Sequence, residues 1–284
     1  MLENFLRYLK LPFVGISFLY GSRRMRKWMK KNDKMQDPNY HDYNKRWKYI
    51  TKKSSKIIKA LGVRITEVNP DYKPKGSFLL IANHTSNLDA TILISTLGEK
   101  SPATSIAKIS LSESRVKGYM QASESFYVYP KNPRKSLVTF NKAGEWAKKN
   151  NRGIVIFPEG KRNWDSKMSE FSSASFKLAH RNYLPIHVVS IVGVLEGLKW
   201  YKFKFNEIKV IYHKPIKANE SLKLSTAILS QKTQEIIQKD LDKYYESMSE
   251  SKLKTIQEYQ EKRRKKQDKF ELKSKNKNDK SKEK

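Results

Sequence analysis

The feature that most limits how this chain folds is a series of seven short apolar runs: Val63–Val68, Phe78–Ala82, Thr104–Ala107, Phe126–Tyr129, Ile154–Phe157, Ile186–Val194 and Ile208–Tyr212. Short runs of this kind, bounded by turn-forming or charged residues, read as buried strands. Helical stretches separate several of them: Asn87–Leu97, Arg134–Lys149 and Glu170–Arg181. In the second, Leu137, Phe140, Gly144 and Ala147 form a narrow packing stripe at helical spacing. Strands alternating with helices specify an α/β domain with a largely parallel sheet flanked by helices. The sequence contains no internal repeat.

The ends have a different composition. Only 38% of the chain is hydrophobic and 31% is charged, so the apolar residues are concentrated in the strand-bearing middle. The reading divides the chain into helices over 1–60, the α/β domain over 61–222, a C-terminal helix over 223–250 and a Lys-rich irregular tail over 251–284. The stretch 42–61 carries Trp47, Ile50, Ile57, Ile58 and Leu61 at near-helical spacing. Near the start, Leu11–Ser22 is free of charge but only 12 residues long, well short of the roughly 20 that span a bilayer. Seven basic residues against one acidic follow in 22–34, with Trp28 among them. An interfacial helix fits this order, with Phe5, Leu9, Phe13, Phe18 and Leu19 offering an apolar face. An amphipathic helix docked on its own domain fits the same spacing.

The formal charge of +31 calls for a polyanionic partner. Its density is highest at the two ends, away from the apolar runs, which favours an anionic membrane surface and disfavours a nucleic-acid interface. The chain has no cysteine, which excludes a thiol nucleophile, a thiolate metal site and a disulfide framework. Its five histidines are scattered without ligand spacing, so no metal site is expected.

Two segments carry chemistry. Asn83-His84-Thr85-Ser86-Asn87-Leu88-Asp89 follows the run FLLIA, which places His84 in a loop at the carboxyl edge of the sheet, where open α/β sheets hold their sites. On a continuous helix His84 and Asp89 would stand about 140° apart. In a turn leading into a helix, Asp89 can instead accept a hydrogen bond from one imidazole nitrogen and leave the other as a base. Taken alone, this pair reads more simply as a loop histidine beside a helix-capping aspartate. The second segment, Phe157-Pro158-Glu159-Gly160-Lys161-Arg162-Asn163, ends a buried run through a forced turn. Gly160 frees backbone N–H groups, and Lys161 and Arg162 supply positive charge suited to a phosphate. A tight turn with a solvated basic pair is the plain alternative.

Together and in this order, NHTSNLD (83–89), FPEGKRN (157–163), FSSASFKLA (171–179), LPIHVV (184–189) and HKPI (213–216) resemble the glycerolipid acyltransferase family over roughly residues 60–220. The resemblance implies the family's α/β fold, a docking helix pair ahead of it, and acyl transfer from a thioester to a hydroxyl of a lysophospholipid, with lysophosphatidate favoured. It implies His84 as general base, Asp89 as its orienting partner, and Glu159, Gly160 and Arg162 at the acceptor, with Lys161 beside them. No cofactor is implied. Acyl-acyl carrier protein or acyl-CoA is the co-substrate, and the expected location is the cytoplasmic face of the cell membrane, bound peripherally. The middle block departs from the family pattern. SFYVYPKNPRKS puts Tyr129 and Pro130 where an acidic residue and an arginine belong, which leaves Lys131 or Arg134 as the substitute, with Arg134 favoured. Lys161 and Asn163 likewise replace the family's Thr and Ser, which leaves another lysophospholipid or a glycerol phosphate open as acceptor. An esterase would need a nucleophile beside His84, for which Ser86 is the near choice.

Overall fold

The computed structural model describes residues 12–29 apart from 14 and 28, then 43–163, 167–194, 206–251 and most of 253–265. Helix α1 (Tyr43–Ala60) leads into strand β1 (Val63–Val68), followed by β2 (Phe78–Ala82), α2 (Asp89–Leu97), β3 (Ala103–Lys108), α3 (Lys117–Ala122) and β4 (Phe126–Val128). Then come α4 (Pro133–Asn150), β5 (Gly153–Ile156), α5 (Ala174–Asn182), β6 (Ile186–Val192), β7 (Asn206–Tyr212) and the long helix α6 (Thr226–Glu246). All seven expected strands form.

The strands make one sheet in the order β1-β7-β6-β2-β5-β3-β4. From β6 to β4 every neighbouring pair is parallel, while β7 runs antiparallel to β6 and pairs parallel with β1. The antiparallel edge was not legible in the sequence, since periodicity is blind to strand direction. Strands β2, β5 and β6 are buried along their whole length, as befits the centre of a sheet covered on both faces.

Alternation along β2 assigns the two faces. Leu79 and Ile81 join a core with Phe140, Ala143 and Ala147 of α4, Phe176 and Leu178 of α5, and Leu229, Ile237 and Leu241 of α6. Phe78, Leu80 and Ala82 join the opposite core with Tyr43, Trp47 and Ile58 of α1 and Ile92, Leu93 and Leu97 of α2. The register sets Phe78 beside Gly153, and a Cβ at 153 would lie 2.0 Å from the Phe78 ring, so this strand position has room only for glycine.

Three expectations are corrected. The apolar stripe of 43–60 packs inward, Tyr43, Trp47 and Ile58 on the second core and Ile50 in a cluster with Met25 and Tyr119, so that stripe is not free for a membrane. The preceding helix, over 15–27, also docks on the domain. Phe18 stacks on Tyr119 at 4.8 Å, Met25 is buried, and the Gly118 N–H donates to Ser22 Oγ. Phe13, Ile16 and Tyr20 remain exposed, which moves the free apolar face off Phe18; Phe5, Leu9 and Trp28 lie outside the described residues. At the other end, α6 belongs to the first core, although Ile228 is exposed. The described residues of 250–265 are helical with Ile256 and Gln260 buried, so the helical region runs past the expected start of the tail at 251. The Lys-rich composition there masks a sparse apolar spacing.

Candidate active site

Strands β2 and β5 are parallel neighbours paired Ile81 to Ile156, so the loops that leave them emerge side by side at one sheet edge. The connection after β2 passes to α2 on one face, and the connection after β5 passes to α5 on the other. Diverging connections open a crevice at the carboxyl ends of a parallel sheet, the usual place for a binding site in such folds. Both motifs lie in it.

His84 follows β2 directly, and the chain turns at once so that Asp89 begins α2. The His84 Nδ1 stands 2.7 Å from Asp89 Oδ2, and the same oxygen accepts the backbone N–H groups of Thr85 and Ser86, each at 2.7 Å. Asp89 is fully buried, while His84 keeps about a quarter of its side chain exposed. A carboxylate oxygen that already accepts two backbone N–H groups acts as acceptor toward the imidazole as well. The proton therefore belongs on Nδ1, and Nε2 carries the lone pair of a base. Phe157 stacks on the imidazole, the ring centroids 4.3 Å apart and the planes 20° from parallel.

The backbone of His84 is held as firmly as its ring. Its N–H donates to Glu159 Oε1 at 2.7 Å, and its carbonyl accepts the Asn163 N–H at 2.7 Å. Just before it, the Asn83 amide exchanges two hydrogen bonds with the backbone of Ile191 on β6, at 2.8 and 2.9 Å. Glu159 is buried, and that burial pushes its carboxyl above the ordinary carboxylate range, opposed by hydrogen bonds from the His84 and Ser169 backbones and the Asn163 side chain. The turn that brings Glu159 here is closed by the Gly160 N–H to Phe157 carbonyl bond, with Gly160 at φ 64°, a conformation that glycine adopts without a Cβ penalty.

This arrangement can take a proton from a hydroxyl, and the comparisons with known proteins give the family in which it stands. A sequence model of the Acyltransferase family matches residues 64–192. A probable 1-acyl-sn-glycerol-3-phosphate acyltransferase of Mycoplasma pneumoniae is 30% identical over 183 residues, which cover 60% of this chain and 68% of that one. The chain belongs to the acyltransferase family. A second probable 1-acyl-sn-glycerol-3-phosphate acyltransferase, from Mycoplasma genitalium, is 29% identical over 232 residues, 76% of this chain and 85% of that one. The 1-acyl-sn-glycerol-3-phosphate acyltransferase of Saccharomyces cerevisiae is 33% identical over 163 residues, 55% of this chain and 52% of its own length. The crystal structure of the 1-acyl-sn-glycerophosphate acyltransferase PlsC from Thermotoga maritima shares the fold, with a TM-score of 0.65, 20% identity, and coverage of 88% of this chain and 99% of that one.

In this acyltransferase the structure gathers His84, Asp89 and Glu159 into one hydrogen-bonded group, with Gly160, Lys161 and Arg162 in the loop between Glu159 and Asn163. Lys161 and Arg162 are exposed at the crevice edge. Arg134 is exposed in the first turn of α4, after β4 and so at the same sheet edge, but two strands away from β5 and outside the hydrogen-bonded group. That turn is capped by Asn132, whose side chain accepts the Lys135 N–H at 2.9 Å. Ser86 is buried, and its Oγ accepts the Leu88 N–H, which turns it into the loop and away from a nucleophile's position. A second Ser-His-Asp cluster forms at Ser190, His213 and Asp240, but Ser190 is fully buried and both partners approach the same Nε2, so no hydrolytic triad results. Among the described residues no group of three or more His, Cys, Asp or Glu could hold a metal ion. Sequence reasoning gave no site role to Asn83, Phe157 or Asn163, although they stand within the two motifs, and missed Ser169 altogether. The partners of Asn83 and Phe157 lie on β6 and in the loop after β2, and nothing local reveals them.

Proposed function

We propose that this acyltransferase moves a fatty acyl chain from an acyl thioester to the sn-2 hydroxyl of lysophosphatidate, forming phosphatidate for phospholipid synthesis. The observation that carries the chemistry is the His84–Asp89 pair, which leaves Nε2 of a partly exposed imidazole as a base at the mouth of the crevice. Nε2 takes the acceptor's hydroxyl proton as the oxygen attacks the thioester carbonyl. Collapse of the tetrahedral intermediate releases the thiolate, which recovers the proton from the imidazolium. No acyl-enzyme is needed. Arg162, with Lys161, pairs with the acceptor phosphate beside the base, and Arg134 is the further cation at that edge. The names of the Mycoplasma and yeast relatives support lysophosphatidate as the acceptor. The donor is acyl-acyl carrier protein or acyl-CoA.

Among the described residues no helix is long and apolar enough to cross a membrane. The exposed Phe13, Ile16 and Tyr20, with Arg23, Arg24, Arg26 and Lys27 on the following turns, support peripheral docking on an anionic membrane at its cytoplasmic face. The test is direct. Purified protein in lipid or detergent should acylate lysophosphatidate from either thioester, and His84→Ala should abolish the reaction while the chain stays folded. Full activity in that variant would refute the mechanism, and transfer only to another lysophospholipid would refute the acceptor.

A further inference from the structure

Glu159 lies in the motif that the family resemblance assigns to the acceptor, yet both oxygens of its carboxylate are taken up by main-chain N–H groups. Oε1 accepts the His84 N–H at 2.7 Å, and Oε2 accepts the Ser169 N–H at 3.1 Å. The Asn163 side chain bonds to it as well. The residue is only 8% exposed. What it does hold is the main chain at His84, on the nitrogen side, while Asn163 holds the same residue on the carbonyl side. With Asn83 fastened to β6, the catalytic histidine is fixed to β5 and β6, its two flanking neighbours in the sheet, by its own backbone and that of the residue before it.

We propose that Glu159 is a positioning residue that sets where Nε2 of His84 stands by gripping the His84 main chain, and that it does not touch the acceptor. The inference rests on the acyl-transfer reading above and deepens it. A ring pinned only through Nδ1 can still shift with its backbone. A displacement of about 1 Å at a reacting atom lowers rate by roughly a hundredfold, so a grip on the backbone acts on turnover and leaves acceptor affinity alone. Glutamine at 159 can accept only one of the two N–H groups and sets its own NH2 against the other. Aspartate keeps the charge but is one methylene too short to reach both.

The experiment measures kcat and acceptor KM for Glu159→Gln and Glu159→Asp in the full chain, with lysophosphatidate and an acyl thioester, beside wild type, His84→Ala and Arg162→Gln. For both Glu159 variants kcat should fall tenfold or more with acceptor KM within twofold of wild type, whereas Arg162→Gln should raise acceptor KM. A tenfold rise in acceptor KM with kcat retained would overturn the proposal, as would unchanged kinetics. If neither Glu159 variant folds, the carboxyl carbon resonance of Glu159 in the wild-type protein decides. Saturating lysophosphatidate should leave it unmoved, and a shift on binding would mark an acceptor ligand and overturn the proposal. Absence of turnover in wild type would instead refute the acyl-transfer reading, a separate outcome from the KM-against-kcat split.

Discussion

The backbone N–H of His84 points at Oε1 of Glu159 across 2.7 Å, which joins two motifs that lie 75 residues apart in the chain. The bond exists because β2 and β5 are adjacent parallel strands that end at the same level. His84 is thus held through its main chain as well as through its ring. Preorganisation of this kind lowers the cost of reaching a productive geometry.

Asp89→Asn should lower kcat/KM by about a hundredfold or more, within the range for loss of an effective general base. An asparagine placing its NH2 where Oδ2 sits would face the N–H groups of Thr85, Ser86 and His84. One placing its oxygen there loses the charge that favours the Nδ1 proton. Steady-state kinetics with a thermal melt separates this loss from unfolding.

Phe157 covers the His84 imidazole face at 4.3 Å. The ring limits how far the imidazole can tilt, so Phe157→Leu should lower kcat by about tenfold as Nε2 loses its fixed position. An unchanged kcat in steady-state kinetics would show that the stacking is only packing.

Gly153→Ala should destabilise the fold by about 1–3 kcal/mol, the usual cost of overpacking a filled core. The added methyl would meet the Phe78 ring at 2.0 Å. The double variant with Phe78→Leu should recover much of this in urea titrations, because the obstructing ring is then gone.

His187 is buried on β6, with Nδ1 at 3.2 Å from the Tyr72 carbonyl, and burial lowers its pKa to about 4 against the ordinary 6.5. Between those values the unfolded chain binds the proton more readily than the folded one. Stability should therefore fall as pH drops from 6.5 toward 4, by up to about 3 kcal/mol from this residue. In His187→Gln that part of the acid sensitivity should vanish, as read from unfolding midpoints against pH.

Replacing Phe13, Ile16 and Tyr20 together with serine should weaken binding to anionic vesicles by tenfold or more, since each buried apolar side chain contributes about 1.5–3 kcal/mol. Co-sedimentation gives the partition coefficient. Binding that survives the triple change but disappears in high salt would assign the attachment to Arg23, Arg24, Arg26 and Lys27 alone.

Every strand and the principal helices were legible in the sequence, because apolar runs and helical stripes report local burial directly. Leu79 and Ile81 against Phe78 and Leu80 already encode two covered faces. His84, Asp89 and Glu159 could be named from their motifs, and the strand-end position of each loop follows from where its apolar run stops. The reversal of β7 could not be read, nor the docking of 43–60 on the domain, because an amphipathic stripe looks the same whether a sheet or a membrane covers it.

The chemistry at His84 divides along the same line. The amino-acid sequence by itself determined that His84 and Asp89 stand five residues apart in a turn that lets them meet, all local properties of one loop. Only the tertiary structure decided that Glu159 grips the backbone of His84, that Phe157 covers its ring, and that Asn83 ties the loop to β6. These contacts depend on which strands become neighbours, and strand order is set by the packing of whole helices on the sheet, which no single stretch of sequence contains.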